Sequence, residues 1–200
     1  QGEGGVHPLS KEFFEGVGQY AKDHDILLIV DEVQTGNGRT GKLYGYMNYD
    51  VEPDIVSTAK GIGGGLPLGV TMFNEKTENV YTPGTHGSTF GGNPIACAGA
   101  LSIMERIDDA LLKEVTAKGQ YIKDEFTGAK GVKSVAGMGL MWGIEPEKDV
   151  KEIVPRLLAK GVVVLTAKEK IRLLPALNIP WTDLKKAVSL MKDVLAESII

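Results

Sequence analysis

Ile26-Leu27-Leu28-Ile29-Val30-Asp31-Glu32 is the stretch that decides the fold of this chain. Its five consecutive apolar residues are typical of a central strand in a parallel sheet, where both faces of the strand are buried. A second short strand is predicted from Asp54 to Ala59. In open parallel sheets, ligands bind at the carboxyl ends of the strands. Asp31 and Lys60 each follow such an end, so the sequence predicts an α/β fold with a binding site there.

Helix signals surround these strands. Ser10 is a suitable N-cap for a helix that extends to about Asp23, and Asn93-Pro94 places proline at the first helical position behind a capping residue. Farther along, short strands alternate with helices, which predicts a smaller α/β unit. We therefore expect two domains, residues 1–108 and 109–200. The remaining segments are predicted as helices at 95–107, 109–126, 150–160 and 183–198, and as strands at 132–135, 140–144, 162–165 and 171–174.

The composition excludes several classes of protein. Among 200 residues, 42% are apolar and 24% are charged, which is typical of a globular protein. The formal net charge is −4 with no long run of either sign, which argues against a nucleic-acid-binding or membrane-surface protein. The single cysteine, Cys97, allows no internal disulfide, so we expect a reducing, cytoplasmic location. No apolar stretch approaches the roughly 18 residues of a membrane span.

One glycine-rich segment imitates a nucleotide-binding motif. Gly36-Asn37-Gly38-Arg39-Thr40-Gly41 matches G-x-G-x-x-G, and with Lys42 it approaches a P-loop. A P-loop needs Ser or Thr after its lysine to hold magnesium, and position 43 is leucine. Both motifs also need a helix directly behind the loop, because the helix N-terminus binds the phosphate. Residues 42–49 show no helical face, so nucleotide binding is kept only as the alternative from another class.

A second glycine-rich segment, 60–65, begins with Lys60. A lysine beside glycines lets a planar ligand approach closely, and its amine can form a Schiff base with a carbonyl group. A pyridoxal phosphate site needs such a lysine, a carboxylate for the pyridinium nitrogen and donors for the phosphate. Asp31 is the candidate carboxylate. A glycine turn with a solvated lysine is the alternative interpretation.

The third segment, His86-Gly87-Ser88-Thr89-Phe90-Gly91-Gly92-Asn93-Pro94, offers two hydroxyls and several backbone amides. These groups suit a phosphate. A capped loop that leads into the next helix needs the same residues, so both interpretations stay open.

Taken together, five segments resemble the class III pyridoxal-phosphate aminotransferases, in the family's order and at plausible spacing. The resemblance covers the whole chain but only about the C-terminal half of a family member, so we expect a fragment. It implies a fold-type I pyridoxal-phosphate-dependent transferase: part of the large, mainly parallel-sheet domain followed by a small C-terminal α/β domain. The five segments are residues 1–5, 31–41, 53–55, 59–65 and 86–94.

The resemblance implies a role for each matching residue at the cofactor. Lys60 would be the catalytic residue, which bonds covalently to pyridoxal 5′-phosphate and moves the substrate's proton. Asp31 would pair with the protonated pyridine nitrogen, and Gln34 would hydrogen-bond the phenolic oxygen, with Val33 beside them. Ser88 and Thr89 would reach the phosphate in the partner subunit. The family therefore implies a homodimer with shared active sites.

Substrate recognition is assigned by the same resemblance to Arg172, for the substrate α-carboxylate, and to Glu3, which would pair with that arginine when a diamine is bound. Within the family, members that transfer the amino group of N-acetylornithine to 2-oxoglutarate, a step of arginine biosynthesis, match best. Ornithine, 4-aminobutyrate and succinylornithine are alternative donors. The family's phosphate loop, stacking aromatic residue and second substrate arginine are absent, so we expect the isolated fragment to be inactive.

Other reactive residues receive simpler interpretations. His7, His24 and His86 are too scattered in sequence for a metal site, and none is predicted. Cys97 is expected to be a buried thiol, and Arg39 to be structural. Trp142 and Trp181 are expected to anchor the core or an interface of the second domain.

Overall fold

The computed structural model describes residues 1–197, which form two compact units. Leu9–Leu112 make up one of them, here called the 9–112 unit. Gln1–Pro8 together with the chain from Lys113 onward make up the other, here called the C-terminal unit. The expected α/β architecture is confirmed. No helix within the described residues is long and apolar enough to cross a membrane.

The 9–112 unit contains a three-stranded sheet in the order β1-β2-β3. The strands β1 and β2 are parallel, with Asp31 opposite Ser57, and β3 is antiparallel to β2. The strand β3 is absent from the sequence prediction. The bounds are α1 Lys11–Asp23, β1 Ile29–Asp31, β2 Ile55–Thr58, β3 Val70–Phe73 and α2 Pro94–Met104, with 3₁₀ turns at Gly45–Asn48 and Lys60–Gly63. The helix α3, Asp109–Phe126, begins in this unit and belongs mostly to the C-terminal unit.

The expectation that residues 26–30 form a strand buried on both faces is wrong in this structure. The strand β1 begins only at Ile29, and the side chains of Ile26 and Ile29 are 50% and 62% exposed. The physical reason is that β1 is an edge strand, since no further strand pairs with it among residues 1–197. An apolar run therefore lies at the open edge of the sheet.

The predicted helix starts are confirmed by their caps. The Ser10 hydroxyl accepts a hydrogen bond from the Phe13 backbone N–H at 3.2 Å. The Asn93 side chain accepts from the N–H groups of Ile95 and Ala96, and Pro94 opens α2. The helix α2 ends at Met104 rather than at the expected 107.

The C-terminal unit is built on a four-stranded antiparallel sheet in the order β4-β5-β7-β6. Its core side chains are fully buried and include Ile122, Phe126, Ile144, Ile153 and Leu157. The predicted strand at 162–165 is displaced, and the predicted helix end at 198 lies outside the described residues. The bounds are β4 Val132–Met138, β5 Met141–Pro146, α4 Val150–Ala159, β6 Leu165–Ala167, β7 Lys170–Leu173 and α5 Trp181–Ala196.

Residues 1–8 depart from the expected division at residue 108, because they pack with the C-terminal unit. Val6 is buried there, at 3% exposure. A Cβ atom on Gly143 of β5 would lie 2.8 Å from the carbonyl oxygen of Gly5 and 3.1 Å from the Cβ of Val6. Because glycine has no side chain, residues 5 and 6 can pack against the sheet at Gly143. The identification of the two units with a large and a small family domain stays a prediction.

Asp54 connects three parts of the 9–112 unit. Its carboxylate accepts hydrogen bonds from the Leu28 backbone N–H at 2.8 Å and from the Asn74 side-chain amide at 2.9 Å. Leu28 precedes β1, and Asn74 follows β3. The hydrogen bond from Leu28 holds the pKa of Asp54 below its usual value, and Asn74 and the charge of Lys76 add to the effect.

We expect Asp54→Asn to weaken the acid dependence of stability. Because the folded-state pKa of Asp54 lies below the unfolded value of about 3.9, its carboxylate stabilises the folded protein above that pH. That contribution is lost as the pH falls through the folded-state pKa. Urea unfolding at pH 7 and pH 3 should therefore show a smaller loss for Asp54→Asn than for the wild type. Asp50→Asn, which alters an exposed carboxylate, is the control, and equal losses for wild type and Asp54→Asn would contradict the prediction.

Candidate functional site

The carboxyl edge of the β1–β2 pair holds the first part of the candidate site. Asp31 is the last residue of β1, and Lys60 follows β2 by two residues. Because β1 and β2 are parallel, both strands end at the same edge of the sheet. Both side chains are exposed, and the Asp31 carboxylate accepts a hydrogen bond from the Val33 backbone N–H at 2.8 Å. The structure therefore brings these two predicted residues to one edge.

A tight turn carries Val33 and Gln34 next to Asp31. The turn is closed by a hydrogen bond from the Gly36 backbone N–H to the Glu32 carbonyl oxygen at 2.9 Å. A Cβ atom on Gly36 would lie 2.7 Å from that same oxygen, so only glycine fits. Val33 and Gln34 are half-buried in this turn.

Glu32 is the residue of this region that the sequence analysis missed. Its side chain is buried at 1% exposure. One carboxylate oxygen accepts hydrogen bonds from the Thr35 hydroxyl at 2.5 Å and the Gly45 N–H at 2.9 Å, and the other from the Tyr46 N–H at 2.7 Å. The signal was present in the sequence. Side chains alternate across a strand, so only one of two adjacent acids can face a ligand.

The aromatic residues beside Glu32 are held in the neutral state. Burial raises the pKa of Tyr44, and the neighbouring Tyr46 and Glu32 raise it further. Burial and then the charge of Glu32 also raise the pKa of Tyr46. The phenols around the buried carboxylate therefore stay protonated, which adds no second charge to its environment.

The G-x-G-x-x-G segment builds a loop rather than a nucleotide site. Within the described chain, no α-helix begins directly behind this segment, since the next element is the 3₁₀ turn Gly45–Asn48. Gly38 and Gly41 have φ angles of +86° and +87°, conformations that favour glycine. Arg39 is half-buried, and burial lowers its pKa. The loop lacks the helix N-terminus that binds phosphate in both nucleotide motifs.

Lys60 itself has an unusual backbone. Its φ angle is +49°, which is uncommon outside glycine and costs about 1–2 kcal/mol. Part of the following glycine run is explained by packing. A Cβ on Gly64 would lie 2.9 Å from the Ile103 side chain, and one on Gly99 of α2 would lie 3.2 Å from the Gly63 carbonyl oxygen. Strained residues cluster at functional sites because the surrounding structure must hold them, and this favours a functional lysine.

Ser88 and Thr89 lie in the exposed segment between β3 and α2. The Ser88 hydroxyl accepts a hydrogen bond from the Gly91 N–H at 3.0 Å. Across residues 1–197, no hydrogen bond or ion pair connects either hydroxyl with Asp31 or Lys60. The neighbouring Phe90 is 82% exposed. The expected contact with a phosphate in a partner subunit stays a prediction.

In the C-terminal unit, the candidate residues are Arg172 and Glu3. Arg172 on β7 donates a hydrogen bond from Nη1 to the Glu3 carboxylate at 2.9 Å, and the two side chains form a salt bridge. The side chain of Arg172 is only 10% exposed, whereas that of Glu3 is 77% exposed. Arg172 lies opposite Gly143 in the sheet, and the N-terminal segment crosses the sheet at that glycine.

One nitrogen of the Arg172 guanidinium group is unpaired in the described part of the chain. Its Nε is buried and has no hydrogen-bond partner among the residues that the structure describes. Arg172 also lines a cavity of about 540 Å³ in the same unit, along with residues of α5. A largely buried guanidinium that already holds one carboxylate and lines a cavity is suited to carboxylate recognition.

The remaining candidate residues lie elsewhere. Cys97 is half-buried on α2. Trp142 is buried, and its indole N–H donates to the Gly139 carbonyl oxygen at 2.7 Å. Trp181 at the start of α5 donates to the Glu114 carboxylate at 2.9 Å. In the described part of the chain, no group of three His, Cys, Asp or Glu residues is arranged to hold a metal ion.

Comparisons with known sequences identify a family. The family model described as "Aminotransferase class-III" matches residues 1–195. The acetylornithine aminotransferase of Haemophilus ducreyi is 42% identical over 199 residues, covering 98% of this chain and 51% of the relative. That of Bacillus subtilis is 40% identical over 201 residues, covering 98% and 52%. The chain thus spans about half the length of the curated relatives it matches.

Solved structures give the same result. The crystal structure of acetylornithine aminotransferase from Elizabethkingia anophelis superposes with a TM-score of 0.91 at 32% identity, covering 98% of this chain and 52% of that one. The ornithine aminotransferase from Toxoplasma gondii superposes with a TM-score of 0.92 at 30% identity, covering 98% and 49%. These neighbours have the fold-type I architecture that the sequence implies.

We expect Glu32→Gln to destabilise the 9–112 unit. The three groups that contact the Glu32 carboxylate are all donors, so the glutamine NH₂ would face another donor and leave a hydrogen bond unmade. The free energy of unfolding should fall by about 2 kcal/mol. Glu52→Gln, which removes an exposed carboxylate nearby, should change it by less than about 0.5 kcal/mol. Urea unfolding measures both, and equal small effects would show that Glu32 does not organise the loop.

Proposed function

Because this chain belongs to the class III aminotransferases, enzymes that depend on pyridoxal phosphate, we propose that the protein transfers the δ-amino group of N-acetylornithine to 2-oxoglutarate. The products are N-acetylglutamate semialdehyde and glutamate. The observation that carries the proposal is the position of Lys60 and Asp31 at one carboxyl edge of the parallel strands. The curated relatives named acetylornithine aminotransferase support the choice of donor.

The residues at this edge fit pyridoxal phosphate by their chemistry. The Lys60 amine is exposed, and within residues 1–197 it makes no ion pair that would compete for it. Asp31 supplies a carboxylate that accepts a hydrogen bond from within its own turn. The space beside the glycine run is open, since a Cβ on Gly65 would meet no atom within 4 Å. A planar ligand has room to approach the amine.

Each residue then has a defined task at that edge. Bound pyridoxal phosphate supplies an electron-withdrawing ring that stabilises negative charge on the substrate carbon. Lys60 holds the cofactor and moves the proton of the donor carbon. Asp31 would pair with the pyridine nitrogen and hold that nitrogen protonated. Gln34 orients the ring through its phenolic oxygen, and Val33 lies beside it.

Substrate selection is proposed for the Glu3–Arg172 pair. Arg172 binds the α-carboxylate of 2-oxoglutarate as a fork, and Glu3 pairs with Arg172 while the amino donor is bound. Glu3 covers part of the guanidinium and is exposed enough to move away when an acidic substrate arrives. One arginine can in this way serve substrates of different charge.

Assembly and location complete the proposal. Ser88 and Thr89 bind the cofactor phosphate of a partner subunit, which makes the protein a homodimer with shared active sites. The exposed Phe90 beside them supports an interface at this segment. We place the protein in the cytoplasm, in arginine biosynthesis. Since the chain spans half the length of its relatives, we expect these 200 residues alone to be inactive.

Ornithine is the second candidate donor. The solved ornithine aminotransferases from Toxoplasma gondii and Plasmodium falciparum superpose on this chain with TM-scores of 0.92 and 0.88. Their fold is therefore as compatible with this chain as that of the acetylornithine enzymes, and the donors must be compared directly.

The test is glutamate formation by the intact protein with pyridoxal phosphate, 2-oxoglutarate and each donor in turn. We expect kcat/KM to be higher for N-acetylornithine than for ornithine. Lys60→Arg keeps the charge but removes the amine, and activity should fall on the order of 10³-fold. Lys42→Arg alters an exposed lysine of the neighbouring loop and should leave activity unchanged. No transamination from any donor, or full activity in Lys60→Arg, would refute the proposal.

A further inference from the structure

Asn37 joins the G-x-G-x-x-G loop to the end of β2. Its side chain is buried at 7% exposure. The amide nitrogen lies 3.1 Å from the Thr58 hydroxyl and 3.2 Å from the Ala59 carbonyl oxygen. A carbonyl oxygen only accepts, so the atom that faces Ala59 must be the donating NH₂ group. Asn37 thus reaches two residues that follow it by 21 and 22 positions, Thr58 and Ala59. Ala59 directly precedes Lys60.

The Ala59 carbonyl defines the peptide plane on the N-terminal side of Lys60. This oxygen accepts a hydrogen bond from the Ile62 backbone N–H at 3.2 Å as well as the one from Asn37. Both of its lone pairs are therefore engaged. The orientation of this plane sets the φ angle of Lys60, which is +49°. A lysine in that conformation is strained and needs neighbours that hold it.

Asparagine is suited to this position for two independent reasons. The φ angle of Asn37 is +56°, in the left-handed region that asparagine tolerates better than most residues. Its side chain also reaches the two oxygens at the end of β2. Glycine would satisfy the first requirement only, and alanine neither.

We propose that Asn37 is a positioning residue that holds the Ala59–Lys60 peptide so that the Lys60 amine is presented at the carboxyl edge of the sheet. The proposal rests on the proposed function of Lys60 and adds to it a residue that does not touch the cofactor. Asn37 acts through the backbone of Lys60. Its removal changes how well the amine is presented.

The chain offers a closely matched control in Asn48. Its amide nitrogen donates to the Thr40 hydroxyl at 3.1 Å and to the Gly45 carbonyl oxygen at 3.0 Å, the same pair of acceptor types. Asn48 lies in the 3₁₀ turn of the same loop, and the hydrogen bonds of its side chain go to Thr40 and Gly45 rather than to the Ala59–Lys60 peptide. A variant at Asn48 therefore reports the loss of an equivalent interaction that does not lead to Lys60.

The experiment compares Asn37→Gly with Asn48→Ala in the intact protein. Two quantities are measured: hydrogen exchange of amides 58–64, and the dissociation constant of pyridoxal phosphate from its absorbance on titration. Loss of two hydrogen bonds should raise the dissociation constant roughly tenfold in Asn37→Gly. Exchange of amides 58–64 should accelerate in the same variant. Asn48→Ala should lose about as much thermal stability as Asn37→Gly. Its dissociation constant and its exchange of amides 58–64 should stay as in the wild type.

Asn37→Asp is a second variant of the same size that tolerates the same φ angle. Its carboxylate cannot donate to Ala59 and repels that carbonyl oxygen, so exchange of amides 58–64 and the dissociation constant should rise at least as much as in Asn37→Gly. The circular dichroism spectrum of each variant shows whether it has folded. If both Asn37 variants match Asn48→Ala in exchange and in affinity, Asn37 is merely structural and the inference is overturned. If the wild type binds no pyridoxal phosphate, the proposed function of Lys60 fails and takes this inference with it.

Discussion

The parallel pairing of β1 and β2 is the constraint on which the candidate site depends. Two strands that run in the same direction end at the same edge, and this places Asp31 and Lys60 together although they are 29 positions apart. The connection between them is long, and two buried side chains fix its first part. Glu32 anchors its beginning through three donors, and Asn37 ties its middle to the end of β2.

The glycines of this chain serve the site in different ways. Gly36 is required because the turn after Asp31 leaves no room for a side chain, and Gly64 because α2 packs against it. In the C-terminal unit, Gly143 makes space for residues 1–8 and so allows Glu3 to reach Arg172. The same residue type thus supports both the carboxyl edge with Asp31 and Lys60 and the Glu3–Arg172 pair, mainly by letting backbone segments approach closely.

The sequence predicts what depends on local chemistry and misses what depends on distant contacts. Caps such as Ser10 and Asn93 act within one turn of helix, so the starts of α1 and α2 were predictable. The edge position of Asp31 and Lys60 followed from strand polarity. Alternation along the strand indicates that Glu32 turns away from Asp31, but the loop groups that hold Glu32 and the bridge from Asn37 involve contacts across 13 to 22 positions, which no local pattern reveals. The exposure of Ile29 goes with the position of β1 at the edge of the described sheet. The sequence of a strand does not show whether another strand pairs with it.

The covalent bond between Lys60 and pyridoxal phosphate is the central claim, and trapping it is the most direct test. The intact protein is incubated with pyridoxal phosphate, reduced with borohydride and digested, and the modified peptide is located by mass spectrometry. The account predicts a pyridoxyl group on Lys60 that is lost in Lys60→Ala. A folded protein that carries no such group on Lys60, or carries it only on other lysines, would contradict the account.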